Sequence, residues 1–148
     1  MAIQVAQVSI EVDASPDSVW RALTTAETLG RSFFGSKVET DWKPGSPIYF
    51  RGEWKGKQFE DKGKIRAFSP GKQLRFTHWS NLAGLPDAPE NYHIVTFDIS
   101  PAASKSKVTV TQENETDKPV SPAAKQELTK NWTAILGRLK EAVEEAPP

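Results

Sequence analysis

The chain has 148 residues, 19 basic and 19 acidic side chains, a net charge of zero and no cysteine. That length fits one domain, residues 1–148, with one core, and the even charge offers no electrostatic footprint for nucleic acid or an anionic membrane. Without cysteine there are no disulfides, thiolate nucleophiles or Cys-based zinc sites. No stretch approaches the ~20 apolar residues that span a bilayer. The opening MAIQVAQVSIEVD lacks the basic start, apolar block and cleavage site of a signal peptide, so a cytoplasmic protein is expected. On that reading the Asn-x-Thr triplets at Asn114 and Asn131 are chance matches.

Ala6, Val8, Ile10 and Val12 alternate with Gln7, Ser9 and Glu11, the period of a half-buried strand. Ser15-Pro16 then starts a short helix with apolar Val19, Trp20, Ala22 and Leu23. A second helical turn follows from Ala26, ending near Gly30 or Gly35. From Lys37 to Glu115 strands alternate with turns. Val38, Thr40 and Trp42 share one parity, as do Ile48, Phe50, Gly52 and Trp54. Beyond the Lys55-Gly56 hairpin, Phe59, Asp61, Gly63, Ile65 and Ala67 share another. Leu74, Phe76 and His78 precede a Pro- and Gly-bearing loop; His93, Val95, Phe97 and Ile99 follow it, and Val108, Val110 and Gln112 close the set. Ser121-Pro122 opens the last element, where Leu128, Trp132, Ile135, Leu139 and Val143 repeat with helical spacing over about six turns. Strands with short connections make an antiparallel sheet. Its single apolar face needs one cover, and only the C-terminal helix is long and apolar enough.

Strand parity sends Trp42, Phe50, Trp54, Phe59, Phe76 and Phe97 to the concave face, opposite Trp132. Aromatics there either pack as an ordinary core or wall a cavity. An empty pocket of roughly 300 Å³ would cost about 7 kcal/mol, comparable to a whole domain's stability. Such a space is therefore filled by side chains or kept for a ligand. Asp61, His78, His93 and Gln112 share the inward parity, and a symmetric hairpin sets the two histidines opposite each other. Buried groups of this kind need partners or shifted pKa values. Three roles stay open for them: bonding the loop and sheet rim, anchoring a ligand headgroup, or acid–base chemistry. No HxH, HExxH or G-x-S-x-G spacing and no glycine-rich phosphate loop occurs. The loop 82–89, with Leu82 and Leu85, is either a lid, a contact surface or a stiffened connection.

Val19-Trp20-Arg21-Ala22-Leu23, Lys43-Pro44-Gly45-Ser46 and Trp132-x-x-x-Leu136-x-x-Leu139 together resemble the SRPBCC (START-like, birch-pollen-allergen-like) superfamily. Within it, Arg75-Phe76-Thr77-His78-Trp79-Ser80 with Gly84-Leu85-Pro86-Asp87 and Pro89-Glu90-Asn91-Tyr92-His93 is similar to a bacterial branch of the activator of heat-shock-protein-90 ATPase homologue-like family. The resemblance implies an α+β helix-grip fold: a curved antiparallel sheet of about seven strands, two short helices, and the long C-terminal helix over the concave face.

It also implies a cavity between sheet and helix. The expected function is binding of a small hydrophobic molecule there, by Trp54, Phe59, Phe76, Phe97, Trp132 and Leu136, with Asp61, His78 and His93 orienting its polar end. No catalytic residue, metal ligand or cofactor is assigned. A cyclase or hydrolase using a cavity histidine and a chaperone-interacting module are the alternatives, in a monomer or homodimer.

Overall fold

The computed structural model describes residues 3–81, 84–114 and 120–145, with the side chain of Trp54 left undescribed. β1 (Ile3–Val12) is followed by α1 (Pro16–Leu23) and α2 (Ala26–Ser32). Ser15 caps α1 by accepting from the Ser18 amide at 3.2 Å, with proline in the first turn. Six strands come next: β2 (Lys37–Thr40), β3 (Pro47–Trp54), β4 (Lys57–Ser69), β5 (Gln73–Ser80), β6 (His93–Ala102) and β7 (Lys105–Asn114). α3 (Pro122–Glu145) ends the described chain. The two-residue turn between β3 and β4 has positive φ at both Lys55 (51°) and Gly56 (79°), which suits the twist of a tight hairpin.

The sheet is antiparallel in the order β1-β7-β6-β5-β4-β3-β2. β1 and β2 thus lie at opposite edges, and α1 and α2 carry the chain from one edge to the other. α3 packs against β1, α2 and α1. Ile48, Phe50, Ile65, Leu74, Phe76, Val95, Phe97, Val108 and Val110 line the inner face. Trp132, Ile135, Leu136, Leu139 and Val143 of α3 complete the same core. The helix-grip architecture expected from the sequence is the one observed.

Two irregularities change the strand parity. In β1, Gln4 pairs with Glu113 and Ala6 with Gln112, so Val5 is the extra residue and both Val5 and Ala6 are buried. In β4, Ile65 pairs with Phe76 but Ala67 pairs with Arg75. This offset moves Ala67 off the inner parity assigned to it and sets Phe68 opposite Leu74 instead. Phe68 then meets Trp20 of α1 edge-on at 4.9 Å. A strictly alternating strand would leave that contact unmade.

Gly63 stands between Asp61 and Ile65, where the β4 backbone runs unusually close to β5. The Lys64 amide donates to the Thr77 hydroxyl at 2.9 Å. A Cβ at Gly63 would lie 1.6 Å from the Thr77 carbonyl oxygen, whereas one at Gly137, inside α3, would meet nothing within 4 Å. Opposite outcomes are expected for one substitution at the two sites. Gly63→Ala should cost about 3 kcal/mol in urea unfolding, and Gly137→Ala should add up to about 1 kcal/mol through helix propensity. Equal effects would mean that the close approach is not what requires glycine.

Candidate functional site

The aromatic part of the concave face has a hub that parity does not reveal. Phe33, at the C-terminal cap of α2, is 8% exposed. Its ring lies 4.8 Å from Phe50, 5.8 Å from Trp132, 6.4 Å from Phe97 and 6.5 Å from Phe76, centre to centre. Phe76 and Phe97 are themselves 6.3 Å apart, and Phe97 meets Trp132 edge-on at 6.1 Å. Phe33 therefore occupies the space between sheet and helix that these rings surround. Phe50, Phe76, Phe97 and Leu136 are fully buried around it.

Beside this cluster runs a polar band. His78 and His93 are direct cross-strand partners, their rings stacked 6.4 Å apart. The edge of His78 also meets Phe50 at 5.8 Å. His78 Nε2 lies 3.0 Å from Asp61 Oδ2, and each side chain is about a fifth exposed (19% and 18%). Oδ1 of Asp61 is buried with no hydrogen-bond partner among the described residues. An unsatisfied buried carboxylate oxygen costs free energy.

The protonation pattern on the other side follows from one group. Trp132 Nε1–H can only donate, and it donates to Gln112 at 2.8 Å, so the accepting atom is the amide oxygen. Gln112 then turns its nitrogen to Asn114, 3.1 Å away, and the atom of Asn114 that accepts is its oxygen. His93 Nδ1 lies 2.8 Å from that same oxygen and must carry the proton. The neutral ring consequently keeps its lone pair on Nε2. Burial pushes the His93 imidazole below its ordinary pKa; His78 acts in the same direction and the Asn114 bond against it.

The structure thus brings Asp61, His78, His93, Phe76, Phe97, Trp132 and Leu136 to one face. Phe59 is only partly buried, its ring over Gly52 at the rim, beside an open groove of about 570 Å³ with Lys37, Arg51 and Asn81. The side chain of Trp54 lies outside the described residues. Parity missed Phe33, which sits in no periodic element, and Asn114, whose inward position continues the series Val108, Val110, Gln112. Among the described residues no three side chains converge to hold a metal ion, and no helix is long and apolar enough to cross a membrane.

The described part of loop 82–89, for which a lid, a contact surface and a stiffened connection were all open, lies away from the concave face. Leu82 and Ala83 lie outside the described residues. From Gly84 onward the chain is tied to outward-facing residues: Lys62 to Asp87 at 2.5 Å, Tyr92 hydroxyl to Asp87 at 2.6 Å, and Trp79 Nε1 to the Leu85 carbonyl at 3.3 Å. Trp79 and Tyr92 stack beneath it. This part of the loop covers the convex side, where Tyr49, Lys64, Arg66 and Tyr92 line a shallow open cleft of about 670 Å³.

A curved sheet gripping one long helix, with aromatic and polar residues between them, defines a START-like domain of the SRPBCC superfamily. Residues 13–144 match the family model described as Activator of Hsp90 ATPase homolog 1-like protein, and the chain belongs to that family. Its fold is similar to the solution structure of ChR145 from Cytophaga hutchinsonii (39% identity, TM-score 0.78, 94% of this chain and 92% of that one). It is also similar to the Aha1 dimer from Colwellia psychrerythraea (19% identity, TM-score 0.73, 99% of each chain). A third likeness is CalU16 from Micromonospora echinospora (18% identity, TM-score 0.70, 94% of this chain and 75% of that one). None of the curated proteins compared matches the chain.

The lowered pKa of His93 sets a pH dependence. The unfolded chain takes up its proton near the ordinary value of 6.5, before the folded chain does. This contribution is therefore complete above 6.5 and is lost as pH falls through the lower folded value. Thermal unfolding of His93→Asn should show a shallower decline between pH 7.5 and 5 than the parent chain. Parallel declines would remove burial of His93 as the cause.

Proposed function

We propose that this chain is a non-enzymatic, single-domain binding protein that takes a small hydrophobic molecule between the sheet and α3. Phe76, Phe97, Trp132 and Leu136 form the apolar site with Phe59 at its rim, and Asp61, His78 and His93 orient the polar end. The observation that carries this reading is the largely shielded Asp61–His78–His93 band at the margin of an aromatic core, with one carboxylate oxygen left without a partner among the described residues. A band needed only for stability would be better replaced by apolar side chains of similar volume. Family membership agrees with the reading. Phe33 stands where the apolar part of a ligand would lie, so entry requires its ring to move.

Native mass spectrometry of protein purified from its own host should reveal a co-purifying small molecule. An apolar fluorescent probe should bind with saturable stoichiometry and quench tryptophan emission. Phe33→Leu, costing on the order of 1–2 kcal/mol of stability, should raise probe affinity several-fold. Absence of any co-purifying molecule together with no saturable probe binding would sink the reading.

The 3.0 Å Asp61–His78 contact favours a second reading, an enzyme of the cyclase or hydrolase kind with His78 as acid–base. There His78→Asn should abolish turnover of aromatic or ester substrates while ligand affinity stays nearly intact; a panel giving no turnover excludes it. A chaperone as partner draws its support from family membership, and a homodimer from the Colwellia protein.

A further inference from the structure

We infer that the polar end of this site presents hydrogen-bond acceptors, and so selects an apolar molecule ending in a hydroxyl or ammonium group over one ending in a carboxylate. The inference rests on the binding reading above and assigns the chemical class of its ligand. It comes from counting the donors and acceptors of the band. The N–H groups of Trp132 Nε1 and His93 Nδ1, and one N–H of Gln112, are engaged within the chain that links α3 to β6. Both bonds to Asn114 converge on its oxygen, which is thereby occupied. On the other flank, His78 Nε2 and Asp61 Oδ2 engage each other.

Two acceptors stand beside the His78 ring. Asp61 Oδ1 is a buried acceptor without a donor among the described residues. His93 Nε2 carries a lone pair, because the proton is held at Nδ1 by Asn114. The side chains that carry them flank the His78 ring, which stacks on His93 and bonds Asp61 Oδ2. A ligand hydroxyl or ammonium satisfies them directly. A ligand carboxylate brings two further acceptors against a carboxylate in a partly dry site, where like charges repel strongly. Recognition by a missing partner is sharper than recognition by shape, since the wrong headgroup leaves buried polar atoms unpaired.

The test uses three probes with one apolar body: 4-phenylbutan-1-ol, 4-phenylbutylamine and 4-phenylbutanoate, titrated calorimetrically at pH 7.5. Side-chain nitrogen spectra of His78 and His93 report where each binds. The alcohol, the amine or both should bind at least about tenfold tighter than the acid and perturb both rings. A winning alcohol names a hydroxyl ligand, and a winning amine names an ammonium ligand. In Asp61→Asn, which can turn an N–H₂ toward the ligand, the gap should shrink to about twofold. If that variant does not fold, the ratio in the native chain decides alone. An acid that binds as tightly as the other two overturns the inference and leaves the binding reading standing, as does binding that leaves both histidines unperturbed. Failure of all three probes to bind overturns the two together.

Discussion

Apolar packing is non-directional, so a long amphipathic helix lying on a concave sheet is free to slide and roll at little cost. The bond from Trp132 to Gln112 removes that freedom. Its net worth is about 1 kcal/mol, but breaking it strands a donor and an acceptor, both nearly dry, which costs more than the bond gains. It therefore fixes the register of α3 against β7, and the rest follows in sequence. Gln112 is held in one orientation, Asn114 is held in turn, and the tautomer of His93 is set. A single indole N–H decides where a proton sits two residues and two strands away.

The band can exist only because the sheet bends around it. Seven strands hydrogen-bonded in one layer would otherwise present the polar and aromatic positions to separate regions of helix. Extra residues at Val5 and before Ala67 supply local bends, and the close pass of Gly63 beneath Thr77 lets β4 and β5 approach. Asp61 lies two residues before Gly63 and His78 directly after Thr77. The tight backbone geometry thus stands next to the carboxylate–imidazole contact, and the same bending places Phe68 on Trp20 at the far end.

Strand alternation and the spacing of Leu128, Trp132, Ile135, Leu139 and Val143 made the architecture legible, because both signals are local and strong. The His78–His93 pairing was legible for the same reason: a hairpin with symmetric arms determines register. What escaped were features decided by distant partners. Phe33 belongs to the end of a seven-residue helix, with no periodicity to mark its inner side. Asn114 also begins an Asn-x-Thr triplet, and that reading hid its place in the inward series. Ala67 was misassigned because one extra residue reverses parity and leaves no composition cue. The course of the loop after Gly84 depends on Lys62, in the neighbouring strand β4, and on the indole of Trp79.

On the proposed binding role, the aromatic hub and the polar band make different demands on an occupant. A molecule that inserts among the rings must displace Phe33, whose burial is worth about 2–3 kcal/mol, so its affinity falls by roughly 30- to 150-fold unless its own apolar surface replaces that contact. A molecule that reaches only Asp61 and His93 avoids this cost but gains little apolar burial. Tight binding therefore requires both parts at once: an apolar body large enough to replace the Phe33 ring, and a head that answers the acceptors. Size selection then arises in the core and headgroup selection at its margin. Because different side chains govern the two, either can change in evolution without disturbing the other.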